Sequence, residues 1–519
     1  MKTKNVNLTS QIVYRMMNVL IALVIDFPIG TNLGLLQVLW ALVSGQLLGT
    51  RGALIPALAA IELSDAEVLR AWSAFANGKW DAHRLVTRWG ELVRQEGHWE
   101  RSGYGGYRVK ALDLTGFFRP CLQDCATTHY DSTAGKALKA IPIGIVGDVG
   151  HVNTQRFTLP TALVRADVNN PSEKVLEAEL VRIAVEQMGA DEALTADRGF
   201  RPVTFITAGC KRVVLRRPKN FTARRRIVPA YGGRGRKPSL PEIVRPLPRT
   251  YRNKTIAATL PDKVETWVDP HNGVTVTAHL WFDVVLPDQP KDWDDDTRKL
   301  VKDTPWSIVL IFHPDFPHPM LLITTLPLSA QQAHEFYLDR WGIEPPSRPL
   351  VAKQILGAMR QFVFADEARQ RLPELSLLAG SVLSYVAARE VAIPTGFWDR
   401  DPKSTPGRLR RLLTRFPFPA DFPLPEPLRA AKSIRAPTTC SKAFWLIVAQ
   451  NRWFRSLQLN YPLRLASRCS RDLAESKALR SVTFSNLSCT TFTPRPGAVG
   501  TLNVPSLLNS NAGSIRSGL

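Results

Sequence analysis

Val109-Lys110-Ala111-Leu112-Asp113-Leu114-Thr115 is a short run of period-two character that closes on an acid. Working outward, Ala193-Leu194-Thr195-Ala196-Asp197-Arg198-Gly199-Phe200 is apolar up to its acid and then turns at glycine. An acid at the end of a buried strand is costly unless it binds metal or is well hydrogen-bonded, so two such positions point to a divalent-ion site. Between them, Ile141 to Val146 and Arg156 to Val164 read as strands punctuated by Gly147, Gly150 and Pro160. Ser172 to Gln187 carries Val175, Leu176, Leu180, Ile183 and Ala184 at helical spacing. Asp148 also ends a strand and competes with Asp113 for the role of ligand.

A third acid lies in Phe336-Tyr337-Leu338-Asp339-Arg340-Trp341-Gly342-Ile343-Glu344, ahead of Lys353-Gln354-Ile355-Leu356-Gly357. Tyr337, Arg340 and Glu344 are spaced i, i+3 and i+7, one face of a helix, where a carboxylate flanked by a cation suits phosphate chemistry. Gly342 and the Pro345-Pro346 pair put Glu344 at a helix junction.

Asp113, Asp197 and Glu344 resemble the catalytic triad of the DDE transposases. Tyr337, Arg340, Glu344 and Lys353 resemble the Tyr-Arg-Glu-Lys signature around the third acid of insertion-sequence transposases. Eight residues separate Glu344 from Lys353, a longer gap than that signature usually has. The strand, strand, strand, helix, strand order suits a ribonuclease-H-like α/β fold with its acids on neighbouring strands. The 147-residue separation of Asp197 from Glu344 implies an inserted subdomain, whereas Asp113 and Asp197 are 84 apart.

The resemblance implies two divalent ions, magnesium or manganese, roughly 3.5–4 Å apart and shared by Asp113, Asp197 and Glu344. One would activate water and then the freed 3′-hydroxyl; the other would stabilise the departing 3′ oxygen. Arg340 and Lys353 would steady the phosphate, Tyr337 would contact the backbone, and Arg198 would either touch the scissile phosphate or pair with a core carboxylate. The implied partners are double-stranded transposon ends and target DNA, held by a homodimer in a synaptic complex. Two competing readings keep the same acids: an inactive or repurposed DNA-binding copy, and a hydrolytic nuclease that never joins strands.

Charge agrees with a polyanionic partner. The net charge is +22 and the pI about 10. Between Lys211 and Lys254 there are 15 basic residues against Glu242 alone, among them Arg224, Arg225, Arg226, Arg234, Arg236 and Lys237. This block is either a source of salt-sensitive phosphate contacts or a solvated basic loop. Cys121, Cys125 and His129, four apart, would align three zinc ligands on a helix, but no fourth is evident nearby. The remaining cysteines show no pairing logic and fit a reducing compartment.

Residues 1–100 are expected to be all-helical and to be either the reader of transposon ends or a scaffold for the core. Ser64-Asp65-Ala66-Glu67 resembles a helix start. The apolar region Val19 to Leu63 is interrupted by Asp26, Pro28, Gly30, Arg51 and Pro56, so a buried helix is expected rather than a membrane span, in a cytoplasmic protein. Residues 101–225 would form the first part of the core, 226–318 a β-rich insertion with a basic entry, and 319–395 the second part of the core with the third acid. A Pro- and Arg-rich linker is expected over 396–429. The 430–519 tail, with twelve basic residues and two acids, reads as poorly ordered, either DNA-binding or appended by a frameshift.

Overall fold

Six helices lead the chain: α1 (Lys2–Val24), α2 (Thr31–Val43), α3 (Gln46–Gly49), α4 (Leu54–Ala59), α5 (Asp65–Asn77) and α6 (Ala82–Glu96). The computed structural model describes residues 2–429 except 120–121, 132, 168, 234–238, 271, 288–292, 341–350, 393 and 395. The expected helix start is real. Glu67 Oε2 accepts from the Ser64 backbone N–H at 2.9 Å and from its hydroxyl at 2.6 Å, a capping box that opens α5. Asp81 caps α6 by accepting from Arg84 N at 2.7 Å, and Gly97 closes it at φ 67, a left-handed geometry that costs glycine little. Helix α2 is apolar on every side and buried accordingly, with Leu35, Val38, Trp40 and Leu42 all at 0% exposure. No helix among the described residues is long and apolar enough to cross a membrane.

The chain then lays down β1 (Trp99–Arg101), β2 (Gly103–Tyr104), β3 (Tyr107–Phe118), β4 (Thr128–Asp131), β5 (Lys136–Val152) and β6 (Gln155–Arg165). Helix α7 (Glu173–Glu186), β7 (Glu192–Ala196), α8 (Pro202–Thr207) and β8 (Val213–Arg217) follow. β3, β5 and β6 pair antiparallel, then α7 crosses over so that β7 lies parallel to β3, and α8 so that β8 lies parallel to β7. The resulting spatial order is β6-β5-β3-β7-β8.

The segment read as an insertion contains β9 (Ala223–Arg225), β10 (Ile243–Val244), β11 (Arg249–Tyr251), β12 (Lys254–Ile256), β13 (Lys263–Val268), β14 (Thr275–Val285), α9 (Asp295–Asp303) and β15 (Trp306–Phe312). It is β-rich as expected, yet most of it extends the main sheet. β16 (Met320–Thr324) pairs antiparallel with β8, and β15, β14, β9 and β10 continue outward from it. The exposed edge of β8 is thereby covered, which removes an unpaired row of backbone groups. Only β11 and β12 form a separate two-stranded ribbon.

Helix α10 (Ala330–Asp339), a π-helical turn (Val351–Ile355), α11 (Asp366–Arg389), α12 (Pro406–Leu413) and α13 (Glu426–Arg429) complete the described chain. Two apolar layers flank the sheet. One unites the N-terminal helices, α10 and α11 with Val109, Ala111, Phe117, Ala193 and Val214. The other packs α7 and α8 on Leu112, Val146, Leu194, Ala196 and Leu215. The all-helical reading of residues 1–100 therefore stands, but these helices share their core with the sheet. Trp89 of α6 donates its indole N–H to Ser381 of α11 at 2.8 Å and is 1% exposed, so truncating it to alanine would cost about 3–5 kcal/mol.

The segment expected as a linker is packed instead. Leu409 and Leu413 are buried, Thr414 donates to the Ser44 carbonyl at 2.6 Å, and Arg408 pairs with Asp399 at 2.8 Å. A proline there starts a helix rather than loosening the chain: Thr405 caps α12 and Pro406 opens it. The tail beyond residue 429 lies outside the described residues.

Candidate functional site

β3 and β7 are in parallel register, Val109 opposite Ala193 and Ala111 opposite Thr195. Asp113 and Asp197 each follow that last pair by two residues, Asp113 still within β3 and Asp197 just past the end of β7. Alternation puts Asp113 on the face of Val109 and Ala111, the layer beneath the N-terminal helices, while Asp197 opens the turn after β7, where its charge acts on Arg217. Both carboxylates are half-buried. The strand of Asp197 ends in a tight turn that holds the acid in place. Its Oδ1 accepts from Gly199 N at 2.8 Å, and Phe200, 2% exposed, anchors the turn in the opposite layer. Arg198 points outward and is exposed.

Lys353 comes to the Asp113 face from the π-helical turn. Its ammonium donates to Thr115 Oγ1 at 2.6 Å and lies 5.3 Å from the centre of the Phe117 ring. Thr115 and Phe117 are the next two residues on the Asp113 side of β3. Burial lowers the Lys353 pKa to about 8, while Asp113 and Asp131 oppose the shift. The turn is seated by a close backbone approach. A side chain on Gly357, at φ 84, would lie 2.6 Å from Leu48 N.

Tyr337 and Arg340 are 0% and 1% exposed, with the guanidinium 5.0 Å over the tyrosine ring. Neither is presented to solvent, so the expected backbone contact from Tyr337 has no surface to act through in this arrangement. The end of α10 is pinned by Asp339, which accepts from Tyr104 at 2.9 Å and Arg156 at 3.0 Å. These three residues line a cavity of ≈ 270 Å³ with Trp267 and His334. Glu344 lies outside the described residues, as do Arg234, Arg236 and Lys237.

The competing acid has a different part. Asp148 is 4% exposed and accepts from Lys110 at 2.5 Å, Arg101 at 2.8 Å and Arg94 at 3.1 Å; Arg101 also pairs with Glu192 at 2.6 Å. Three cations occupy its oxygens, which makes it a fastener between α6 and the sheet. The proposed zinc alignment fails as well. His129 sits on strand β4 and bonds Glu173 at 3.0 Å, Cys125 bonds backbone carbonyls of Thr127 and Ala140, and Cys121 lies outside the described residues.

Part of the basic block is neutralised internally. Arg225 makes a two-pronged contact with Asp262 at 2.6 and 2.7 Å, Arg226 faces Asp283 at 3.4 Å, and Arg224 donates to the Pro241 carbonyl at 3.0 Å. Thr115 and Asp131 were not singled out in the sequence. For Thr115 the signal was available, since period two places it beside Asp113; Asp131 comes near Lys353 only through the β4–β5 hairpin.

Chemically, half-buried carboxylates are hard oxygen donors of the kind that suit magnesium or manganese. Among the described residues no group of three ligating side chains is assembled, and the third donor in this reading is Glu344. No known family model and no curated protein sequence matches this chain.

Proposed function

We propose that this chain is a DNA transposase of the DDE type, cutting double-stranded DNA at transposon ends and joining the freed ends to target DNA. The observation that supports the reading is the parallel β3–β7 pairing, with Asp113 on β3, Asp197 directly after β7, and Lys353 bonded to Thr115 two residues along from Asp113. Three antiparallel strands followed by two parallel ones support a ribonuclease-H-like core. The net charge of +22 supports a polyanionic partner.

In this reading Asp113, Asp197 and Glu344 hold two divalent ions, which supply activation of the attacking oxygen and stabilisation of the departing 3′ oxygen. Asp197 is fixed through Oδ1 by the Gly199 amide, which leaves Oδ2 as the oxygen for a metal. Lys353 carries positive charge to the phosphate, and Thr115 sets where that charge sits. Arg340, enclosed beside Tyr337, does not meet DNA directly in this arrangement. Cutting and joining are one displacement used twice, so one set of side chains serves both, and a homodimer would bring two ends together.

The test is cleavage of labelled DNA carrying the element's ends, with magnesium, by the intact chain and by Asp197→Ala. Metal-dependent cutting and joining that vanish in the variant are expected. Cutting that is equal or absent in both would sink the reading.

A further inference from the structure

The ladder of β3 runs one residue past the strand, Arg119 N donating to the Lys139 carbonyl at 2.8 Å. Arg119 is therefore next after Phe117 on the face that carries Asp113 and Thr115. It is 6% exposed, and its Nη2 donates to the Val363 carbonyl at 2.9 Å. Its Nη1 has no partner among the described residues. Nor does any carboxylate pair with it there. Burial and then Arg369, another cation, lower its pKa. Arg369, in the first turn of α11, is itself bonded to Asp366.

A buried guanidinium with an open N–H and a like charge beside it is expensive to keep. Such a group needs an explanation, and the same segment holds a second one. Gln361, two residues before Val363, is 5% exposed with both amide atoms unpartnered among the described residues. The cover over Arg119 is a side chain that can move: the Phe364 ring lies 5.9 Å from the guanidinium yet is 59% exposed, edge-on to Phe362 at 63%.

We propose that Arg119, with Arg369 beside it, is a phosphate-binding subsite that takes a backbone phosphodiester of the DNA strand cut at Asp113 and Asp197. The inference rests on the transposase reading above. A guanidinium fork matches phosphate oxygens in two-pronged fashion, and a phosphate supplies the counter-charge that the protein withholds. At ~3.3 Å per residue, Arg119 lies roughly 20 Å along β3 from Asp113, with Lys353 between them. Lys353, Arg119 and Arg369 thus form a basic row leading away from the acids, several nucleotides from the scissile bond. Phe364 swings aside as the strand enters.

The experiment is a salt titration of the full chain binding a labelled duplex, wild type against Arg119→Gln and Arg119→Lys. One lost phosphate contact lowers the slope of log affinity against log salt by about 0.9, so between 50 and 200 mM salt the two chains diverge by about 3.5-fold. Arg119→Lys should keep the wild-type slope. In a methylphosphonate scan, the phosphate whose neutralisation weakens wild type should have no further effect in Arg119→Gln. Should Arg119→Gln not fold, as judged by its melting curve, Arg369→Gln takes its place with the same expected fall. An unchanged slope with an unchanged scan overturns the assignment to Arg119 alone. A wild-type chain that does not bind duplex overturns both this and the transposase reading. Inorganic phosphate at matched ionic strength is the other arm: if it raises the melting temperature only when Arg119 is present while duplex binding is the same in wild type and Arg119→Gln, the subsite is one for free phosphate and the DNA assignment falls.

Discussion

Lys110 and Asp113, three residues apart on β3, each meet an opposite charge from elsewhere in the chain, and the fold treats the two positions oppositely. At the Lys110 position the chain closes its own charges: Lys110 and Asp148 side chains are 3% and 6% exposed, bonded to each other and to Arg101. At the Asp113 position the acid stays half-buried, and Lys353 bonds a hydroxyl and forms no ion pair among the described residues. A buried charge neutralised by the protein fixes the architecture, whereas a cation given only a neutral partner can still meet an anion from outside.

The largest effect that would test this contrast is at the acids. Asp197→Ala should cut magnesium-dependent cleavage by more than about a hundredfold, since even outer-shell partners of a metal are worth roughly 10–100-fold. Its melting temperature should barely move, because the side chain is half-buried. At the Lys110 position, Asp148→Ala should leave buried Lys110 with only its longer 3.6 Å pair to Glu192 and cost about 3 kcal/mol in urea unfolding, the low end of the usual penalty for breaking a buried pair. A stable Asp148→Ala chain that had lost cleavage would reverse the assignment of the two acids.

Lys353 sharpens the comparison through pH. Its pKa is lowered to about 8 by burial, so its charge is present below that pH and lost above it. DNA binding and cleavage should weaken as pH rises through about 8, with roughly a tenth of the charge left one unit higher. Lys353→Arg, which stays charged, should remove that alkaline fall; a fall that persists in this variant would take Lys353 out of the phosphate contact. The smallest effect concerns the helix leading to the third acid. Ser329 accepts from Gln332 N at 3.2 Å in a capping box, and Ser329→Ala should cost about 1 kcal/mol in unfolding with cleavage near wild type.

Much of the fold was legible in local pattern. Period two marked β3, apolar runs punctuated by glycine and proline marked β5 and β6, helical spacing marked α7, and Ser64 announced its helix, because each signal is set by neighbours within a turn or a strand. The candidate acids Asp113 and Asp197 were legible for the same reason, as charged residues closing apolar runs. Composition alone supplied the basic character and the polyanionic partner it implies.

Tertiary structure decided the rest. Sequence left Asp148 a rival to Asp113, and only the arrival of Arg94 from α6 and Arg101 from β1 showed which acid is spoken for. It suggested a separate insertion and a linker, but hydrogen-bonding needs at the β8 edge drew β16 and its neighbours into one sheet. Burial of Leu409 and Leu413 likewise drew the Pro-rich segment onto the helices. Arg119 gave no sequence signal at all. An arginine reads as a surface charge until the fold encloses it, and whether its N–H groups find partners depends on Val363, 244 residues away in the chain. Local physics writes the elements into the sequence; the balance of buried charge is a sum over distant residues, and only their meeting in space fixes it.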